Sequence, residues 1–587
     1  MVQIAVDMPQ HAGLARPLAY RSQHPLAPGR LVRVPFGTRD VAGIAWDGVD
    51  DESDLPLVPL RDVSGFCDAL PPLPAAWRRL VEFTASYYQR SVGEIALGVL
   101  PPELRRLGPE AIADRIRRLD RPSRPRAGTR APAAGPDPPP GSAPPLLNAS
   151  QAAAVDAATA AMQTDEPGTV LLHGATGSGK TEVYLRCAAN ALASGRQALV
   201  LVPEINLTPQ LVERFAARFD ADRVVVLHSG LTPAQRLRGW LSAHLGRADL
   251  VLGTRLAIFA SLPRLGLVVV DEEHEPSYKQ QEGARYSARD LAVYRGRLEG
   301  CLVLLGSATP SLESWHRAAA GSYRRLDLPD RIGGALWPTV RRVDMNELPR
   351  TRGATTALAP PLVAALQARL ARGEQSLVFL NRRGYAPVLH CPECSWKSAC
   401  SHCSAWRVFH RQDRTLRCHH CGFAERVPRA CPDCGNPDIV PMGRGTERLE
   451  EQLADLLPGA RIARIDADST RRKGALEAQL GAVHAGEVDV LVGTQMIAKG
   501  HDFRRITLVA AVNPDSSLFS SDFRAPERLF SLLMQAAGRA GRAAPALPGA
   551  GGAGGGGGSE MWVQTWHPTH PLYAALARHD FAAFAAS

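Results

Sequence analysis

The stretch GATGSGKT, Gly174–Thr181, matches GxxxxGK[ST], with the β-type run TVLLH before it and the helix-like EVYLRCAANALA after it. A strand feeding a glycine loop and then a helix lets successive backbone N–H groups wrap a phosphate chain. The helix N-terminus adds its positive pole. Gly174, Ala175, Thr176, Gly177, Ser178 and Gly179 would line the phosphates of ATP. Lys180 would meet the β- and γ-phosphates, and the Thr181 hydroxyl would hold Mg2+.

Such a loop needs a parallel sheet around it, and the chain supplies the strands. QALVLVPE, RVVVLHSG, ADLVLGTR, LGLVVVDEEH and CLVLLGSATP follow, then a second set, QSLVFLNRR, RIARIDAD, VDVLVGTQ and ITLVAAVN. Near-continuous Val/Leu runs bounded by Gly and charge fit strands buried on both faces, so the reading is two α/β lobes in tandem. LVVVDEEH ends a strand in acids beside the phosphate loop; Asp271 would coordinate Mg2+, and Glu272 would orient and deprotonate the attacking water.

The flanks differ in character. Residues 1–105 alternate short apolar runs with turn residues and predict a β-rich unit, followed within it by a helix at PAAWRRLVEFTASYYQRSVG. Residues 106–147, rich in Pro, Ala and Arg, predict a semi-stiff linker. The first lobe is expected over 148–345, and the second over 346–388, 437–548 and 560–587. A cysteine-rich insertion at 389–436 and a glycine tract at 549–559 interrupt the second lobe. The net charge of +10 (68 basic, 58 acidic residues) suits a polyanionic partner. No apolar run is long enough for a membrane helix, and the start lacks the layout of a secretory signal; a cytoplasmic chain is expected.

Eight of eleven cysteines form four CxxC pairs, Cys391/Cys394, Cys400/Cys403, Cys418/Cys421 and Cys431/Cys434, separated by five, fourteen and nine residues. Two such knuckles complete a tetrahedral zinc site of four thiolates, so four knuckles make two structural Zn2+ sites. A redox-active dithiol needs one pair rather than four. Three pairings are possible, and joining the first two knuckles is cramped by the five-residue gap. His390, His402, His419 and His420 are not needed as ligands.

Four further stretches set the class. GTR (Gly253–Arg255), GSATP (Gly306–Pro310), GTQMIAKGHDF (Gly493–Phe503) and QAAGRAGR (Gln535–Arg542), in this order, resemble superfamily 2 helicases. In the last of these, Arg539 and Arg542, at i and i+3, lie on one helix face and would stabilise charge developing on the γ-phosphate, with Gln535 of the same motif as a further catalytic candidate. With LVPEINLTPQ, DEEHEPSYKQQEGARYSARDLAVYR, FLNRRGYAP and SSDFRAPERLFSLLMQAAGRAGR added, the chain resembles the PriA family of replication-restart DNA helicases.

The resemblance implies tandem RecA-like lobes with a β-rich N-terminal domain and a two-zinc insertion in the second lobe. It implies ATP-dependent 3′ to 5′ movement on single-stranded DNA, unwinding at forks, primosome loading, contact with single-strand-binding protein, and a monomer near the nucleoid. It also implies nested zinc pairing, with Cys400, Cys403, Cys418 and Cys421 on one ion, the outer four on the other, and SAWRVFHRQDRTLR as a hairpin. Thr254, Arg255, Thr494 and Gln495 would line the strand's phosphates, and Tyr278, Lys279, Gln280 and Tyr286 would couple the strand to hydrolysis. Gly37 and Arg61 match the family's pocket for a 3′ end, but Leu18-Ala19 replace a Phe-Asp pair before Tyr20, so weaker 3′-end discrimination is expected. Against the family's pattern, the Pro-rich linker is expected to stand in place of the winged helix, the usual C-terminal domain is expected to be absent after residue 587, and Asn513-Pro514-Asp515 departs from an acidic start. The competing readings are a DNA-binding restart scaffold and another superfamily 2 translocase, such as a branch-migration motor.

Overall fold

The computed structural model describes residues 1–8, 16–48, 59–119, 144–204, 207–332, 336–348, 358–380, 388–394, 396–403, 406–410, 414–418, 420–441, 446–465, 475–493, 503, 505–519, 522–540 and 558–587. The chain forms two compact units. One comprises Met1–Gly174 and Gly179–Pro329, the other Asp330–Ser587 with the loop residues Ala175–Ser178.

The first unit opens with strands β1 (Val2–Val6), β2 (Leu18–Tyr20), β3 (Leu31–Phe36), β4 (Arg39–Trp46) and β5 (Gly65–Phe66), an antiparallel sheet in the order β2-β1-β4-β3-β5. Gly37 turns the β3–β4 hairpin at φ +61°, a conformation that glycine adopts without steric cost. The helix expected at 74–93 is two, Ala75–Tyr87 and Val92–Gly98, because Ser91 starts a new one by accepting from the Glu94 N–H. The expected linker also begins later. Pro109–Leu119 is a helix that buries Ile112 and Ile116, an i, i+4 apolar pair hidden among arginines; residues 120–143 lie outside the described residues.

Next come β6 (Thr169–Gly174), β7 (Gln197–Leu201), β8 (Val224–Leu227), β9 (Leu250–Gly253), β10 (Leu265–Asp271), β11 (Leu302–Ser307) and β12 (Arg324–Leu328). They form a parallel sheet in the order β12-β6-β11-β10-β7-β9-β8. Every residue of β7, β9 and β11 is buried, as two covered faces require.

In the second unit β13 (Thr339–Asp344) and β14 (Gln375–Leu380) come first. β13 was expected to close the first lobe but is an edge strand of the second sheet, so the first unit ends at Pro329 rather than 345. At the base of the insertion β15 (Leu389–His390) pairs with β19 (Val440–Pro441), just past its expected end at 436, and within it β16 (Arg407–His410), β17 (Thr415–Cys418) and β18 (Ala424–Arg426) form a small antiparallel sheet. β20 (Ile462–Ile465), β21 (Val490–Gly493), β22 (Ile506–Val512) and β23 (Glu560–Thr565) complete the parallel sheet β13-β23-β22-β14-β21-β20.

Candidate nucleotide, strand and metal sites

Topology puts the chemistry at the C-terminal ends of β6, β10 and β11, which are neighbours in one sheet. Gly177 and Gly179 take φ of +86° and +83°, curling the loop that leads into the helix Lys180–Ala193. The Lys180 ammonium donates to the Gly174 carbonyl at 2.8 Å and is buried, preset under the loop. This donor-lined turn at a helix N-terminus fits a nucleotide's phosphates.

Asp271 ends β10 and accepts from the Tyr184 hydroxyl at 2.9 Å. Burial, reinforced by the adjoining Glu272 carboxylate, pushes the Asp271 carboxyl up to about 6, against the pull of Lys180. Glu272 sits at φ +46°, outside the region most side chains prefer. The next two residues tie the acidic turn to the end of β11. Glu273, buried, accepts from the Ser311 N–H (2.6 Å) and the Ser311 and Ser314 hydroxyls (3.0 Å each), and His274 Nδ1 meets Ser307 Oγ at 2.7 Å. DEEH and GSATP are therefore one hydrogen-bonded unit. A Cβ built on Gly306 would overlap the Tyr184 hydroxyl and lie 2.7 Å from its Cζ, so the glycine is what lets Tyr184 reach Asp271. Sequence reasoning passed over Tyr184; its signal was a large aromatic one turn after Lys180, on a helix facing the sheet.

The expected strand-binding residues divide. Thr254 is buried, and the Arg255 guanidinium donates to the carbonyls of Ser277 (2.9 Å) and Lys279 (3.3 Å), clamping GTR to the segment after the acids. Tyr278 is 2% exposed, its hydroxyl 2.7 Å from the Asp271 carbonyl, and Tyr286 packs edge-on against Phe259. Both rings are core in this structure rather than open stacking surfaces. Lys279 is exposed above the Tyr88 ring, and the Gln280 N–H donates to the Tyr286 carbonyl. Thr494 and Gln495 lie outside the described residues.

Within the second unit, Gln535 and Arg539 are buried near the end of the helix Ala525–Ala537 and just beyond it. Gly538 lies against the phosphate loop: a Cβ there would be 2.7 Å from the Thr176 Cβ. Arg331 donates to the Gly538 carbonyl at 3.2 Å, and the adjacent Ile332 N–H donates to Gly177 at 3.0 Å. Arg331 was not picked out from the sequence, where no motif marks it. Arg542 lies outside the described residues. Asp515, the residue of the departing Asn513-Pro514-Asp515 segment, is fully buried. It accepts from the Thr565 hydroxyl, the Trp566 N–H and the Tyr573 hydroxyl, pinning the end of β23. Asn513 takes φ +54°, which asparagine tolerates.

Gly37 and Arg61 do meet: the Arg61 guanidinium donates to the Gly37 carbonyl at 2.8 Å, and the Tyr20 hydroxyl to the Pro35 carbonyl at 3.1 Å. Leu18 and Ala19 are held in β2 opposite Ile4 and Gln3.

The eight thiols gather in two sets, Cys391, Cys394, Cys431 and Cys434, and Cys400, Cys403, Cys418 and Cys421, the ligand atoms of each within 4.8 Å of one another. Cross-knuckle sulfur pairs stand at 3.4–3.6 Å. A tetrahedron with Zn–S bonds of about 2.3 Å has edges of about 3.8 Å, so the donors fit zinc. The nested pairing is the observed one, with β16 and β17 forming the expected hairpin between its inner knuckles. Although burial opposes it, backbone N–H groups of each knuckle bring Cys391 down to about 7 and Cys418 to about 6, while Cys394, up to about 12, Cys421 and Cys434 are raised, so one thiol of each set gives up its proton ahead of its neighbours.

Family models match four segments: DEAD/DEAH box helicase at 148–318, 3′DNA-binding domain at 3–101, PriA DNA helicase Cys-rich region at 400–426, and helicase conserved C-terminal domain at 437–544. The chain is 48% identical over 415 residues to the replication restart protein PriA of Haemophilus influenzae, covering 71% of this chain and 54% of that protein. The Bacillus subtilis protein of the same name is 43% identical over 438 residues, with coverages of 75% and 53%. That of Rickettsia conorii is 33% identical over 521 residues, with coverages of 87% and 74%. The chain thus spans about half the length of the first two relatives.

Proposed function

Since the chain belongs to the PriA family of replication restart proteins, we propose that it is an ATP-dependent DNA helicase that moves 3′ to 5′ along a single strand. On this reading it recognises stalled or branched forks and starts primosome assembly there. The observation that carries the reading is the hydrogen-bonded unit of DEEH and GSATP beside a preset Lys180.

On this reading the backbone of residues 174–179 and Lys180 hold the triphosphate, while Thr181 and Asp271 hold Mg2+. When bound, the ion neutralises charge on the β- and γ-phosphates. Glu272 orients the attacking water and takes its proton, and the Tyr184 hydroxyl fixes Asp271 in place. Strand binding reaches the acids by a short route: Arg255 holds the Ser277 carbonyl, and the neighbouring Tyr278 hydroxyl holds the Asp271 carbonyl. Arg539 and Arg542 supply positive charge to the γ-phosphate. The two four-cysteine sets hold two Zn2+ ions as structural sites closed to substrate.

The test is Lys180→Ala. DNA-stimulated ATP turnover and fork unwinding should fall by about a hundredfold or more while oligonucleotide binding and zinc content persist. Unwinding equal to wild type would leave only a scaffold. For the 3′-end pocket, affinity for forks with a free and a blocked 3′-hydroxyl should differ by less than about tenfold. With Leu18-Ala19 in place, the carboxylate acceptor worth ~1.5–3 kcal/mol is missing. A large preference for the free hydroxyl would defeat this.

A further inference from the structure

The tip of the phosphate loop, Ala175–Ser178, belongs to the second unit, and a short segment of that unit holds it. The segment is Arg331-Ile332, which no sequence motif marks. The Ile332 N–H donates to the Gly177 carbonyl at 3.0 Å. The Arg331 side chain is buried alongside, where a Cβ built on Gly177 would stand 3.8 Å from its Nε. One terminal nitrogen of the guanidinium donates to the Gly538 carbonyl at 3.2 Å, the other to the Leu336 carbonyl at 2.9 Å. Its charge lies 5.1 Å from the centre of the Trp337 ring, and Trp337 is stacked in turn on His579, with ring centres 4.5 Å apart. Fork and stack together fix the plane of the guanidinium.

Gly538 closes the helix Ala525–Ala537, and its carbonyl belongs to the peptide that leads into Arg539. A Cβ on Gly538 would stand 2.7, 2.9 and 3.0 Å from the Cβ, Cγ2 and Oγ1 of Thr176, so the missing side chain is what lets the helix end touch the loop. Arg331 therefore grips the peptide that carries Arg539, while its neighbour Ile332 grips the loop. Resting on the DNA-motor reading above, we propose that Arg331 is a positioning residue for ATP turnover. It sets the register of Gly538-Arg539 against Thr176-Gly177, and it acts through Arg539, whose guanidinium meets the charge developing on the γ-phosphate. Lysine is no substitute in this role. An ammonium carries the charge but has neither the planar fork for two carbonyls nor a flat face for Trp337. Misplacing a catalytic group by about 1 Å costs about a hundredfold in rate, whereas the loop's own hold on the triphosphate is left as it was.

The experiment separates kcat from KM. ATP turnover of the zinc-loaded full chain is measured with a saturating thymidine oligonucleotide for wild type, Arg331→Ala, Arg331→Lys and Gly538→Ala. Both Arg331 variants should lose about tenfold to a hundredfold in kcat, with KM for ATP within about threefold of wild type. Gly538→Ala, whose methyl group meets Thr176, should lose as much. Adding Arg331→Ala to it should cost less than about threefold more, because both changes break one register. Thermal unfolding and oligonucleotide affinity check that each variant is folded, and Arg331→Lys carries the test if Arg331→Ala is not. Wild-type kcat in Arg331→Lys overturns the proposal, since charge alone then suffices. A KM for ATP raised about tenfold at unchanged kcat also overturns it, by making Arg331 a ligand of the nucleotide. Losses that multiply in full in the double variant would mean two independent roles and overturn it as well. All three leave the motor reading standing. Absence of any oligonucleotide stimulation in wild type defeats the motor reading and this one together.

Discussion

At the scale of single residues, the acids at the end of β10 can act as proposed only if their neighbours leave room. Asp271 is half-buried, and its carboxylate accepts from Tyr184, whose hydroxyl stands where a Cβ on Gly306 would be. Gly306→Ala should therefore destabilise the first unit by about 1–3 kcal/mol, the range for overpacking a tight core, and lower ATP turnover with it. In a Tyr184→Phe background the hydroxyl is gone and the same substitution should cost measurably less. A double-mutant cycle by thermal unfolding reads this coupling, and additive costs would mean that something other than the hydroxyl excludes the methyl group. Lys180, Asp271 and the phosphate loop were legible in the sequence because their chemistry demands fixed spacing. Tyr184 and Glu273 were not, since a buried tyrosine and a third acid in a row look like packing and solvated charge until the partners Asp271 and Ser311 are seen. Tyr278 failed in the opposite direction: an aromatic beside basic residues read as a stacking platform, while its hydroxyl is spent on a backbone carbonyl.

At the scale of elements, the cysteine insertion has little apolar core of its own; among its described side chains Val408 and Leu416 are buried beside the thiols. Its fold must then come from metal binding, whose free energy is folding free energy in such segments. The nested sets make a sharp prediction. Metal analysis of wild type should give two zinc per chain. Cys394→Ser with Cys431→Ser should retain one, since both changes strike one set, whereas Cys394→Ser with Cys403→Ser should lose both. Retention of one zinc by the second pair would refute the nesting. The spacing alone disfavoured only the pairing of the first two knuckles; closing the outer ring needs β15 on β19, a contact between residues about fifty apart that no local pattern signals. The helix Pro109–Leu119 escaped notice for a related reason. Two isoleucines among charges carry a weak periodic signal, and their burial depends on what lies across from them.

At the scale of the whole molecule, the N-terminal region is not a tethered module but part of one core with the first parallel sheet. Trp77 donates its indole N–H to the Phe259 carbonyl at 2.8 Å, Phe83 stacks on Tyr294 with ring centres 3.7 Å apart, and Tyr88 accepts from the Ser287 N–H. Trp77 and Phe259 are 182 residues apart, which is why the sequence shows two domains and not their fusion. The two should unfold together. His244 lies at this seam, stacked on Trp240, with Nε2 2.9 Å from the Pro71 carbonyl and Nδ1 2.8 Å from Ser261 Oγ. A carbonyl only accepts, so Nε2 carries the hydrogen and Nδ1 accepts from the serine. Protonating Nδ1 would turn that bond round, with Ser261 Oγ as acceptor, and charge a buried ring. Burial accordingly lowers the pKa of His244 below 6.5, against the help of Pro71. Because the folded value is depressed, the unfolded chain takes up the proton first. Stability is therefore complete above about pH 6.5 and declines as pH falls below it. Unfolding of the full chain, followed by tryptophan fluorescence between about pH 5 and 7.5, should show the first unit as one step, its acid dependence adding His244 to His173 and His228, which burial also lowers, and to Asp271, whose raised carboxyl acts in the opposite sense. His244→Gln, which keeps a donor for Pro71 but does not titrate, should lose the His244 share, so that wild type loses stability relative to the variant as pH falls. An equal slope in the variant, or separate transitions for the N-terminal sheet and the parallel sheet, would mean that the seam does not bind the two into one cooperative body.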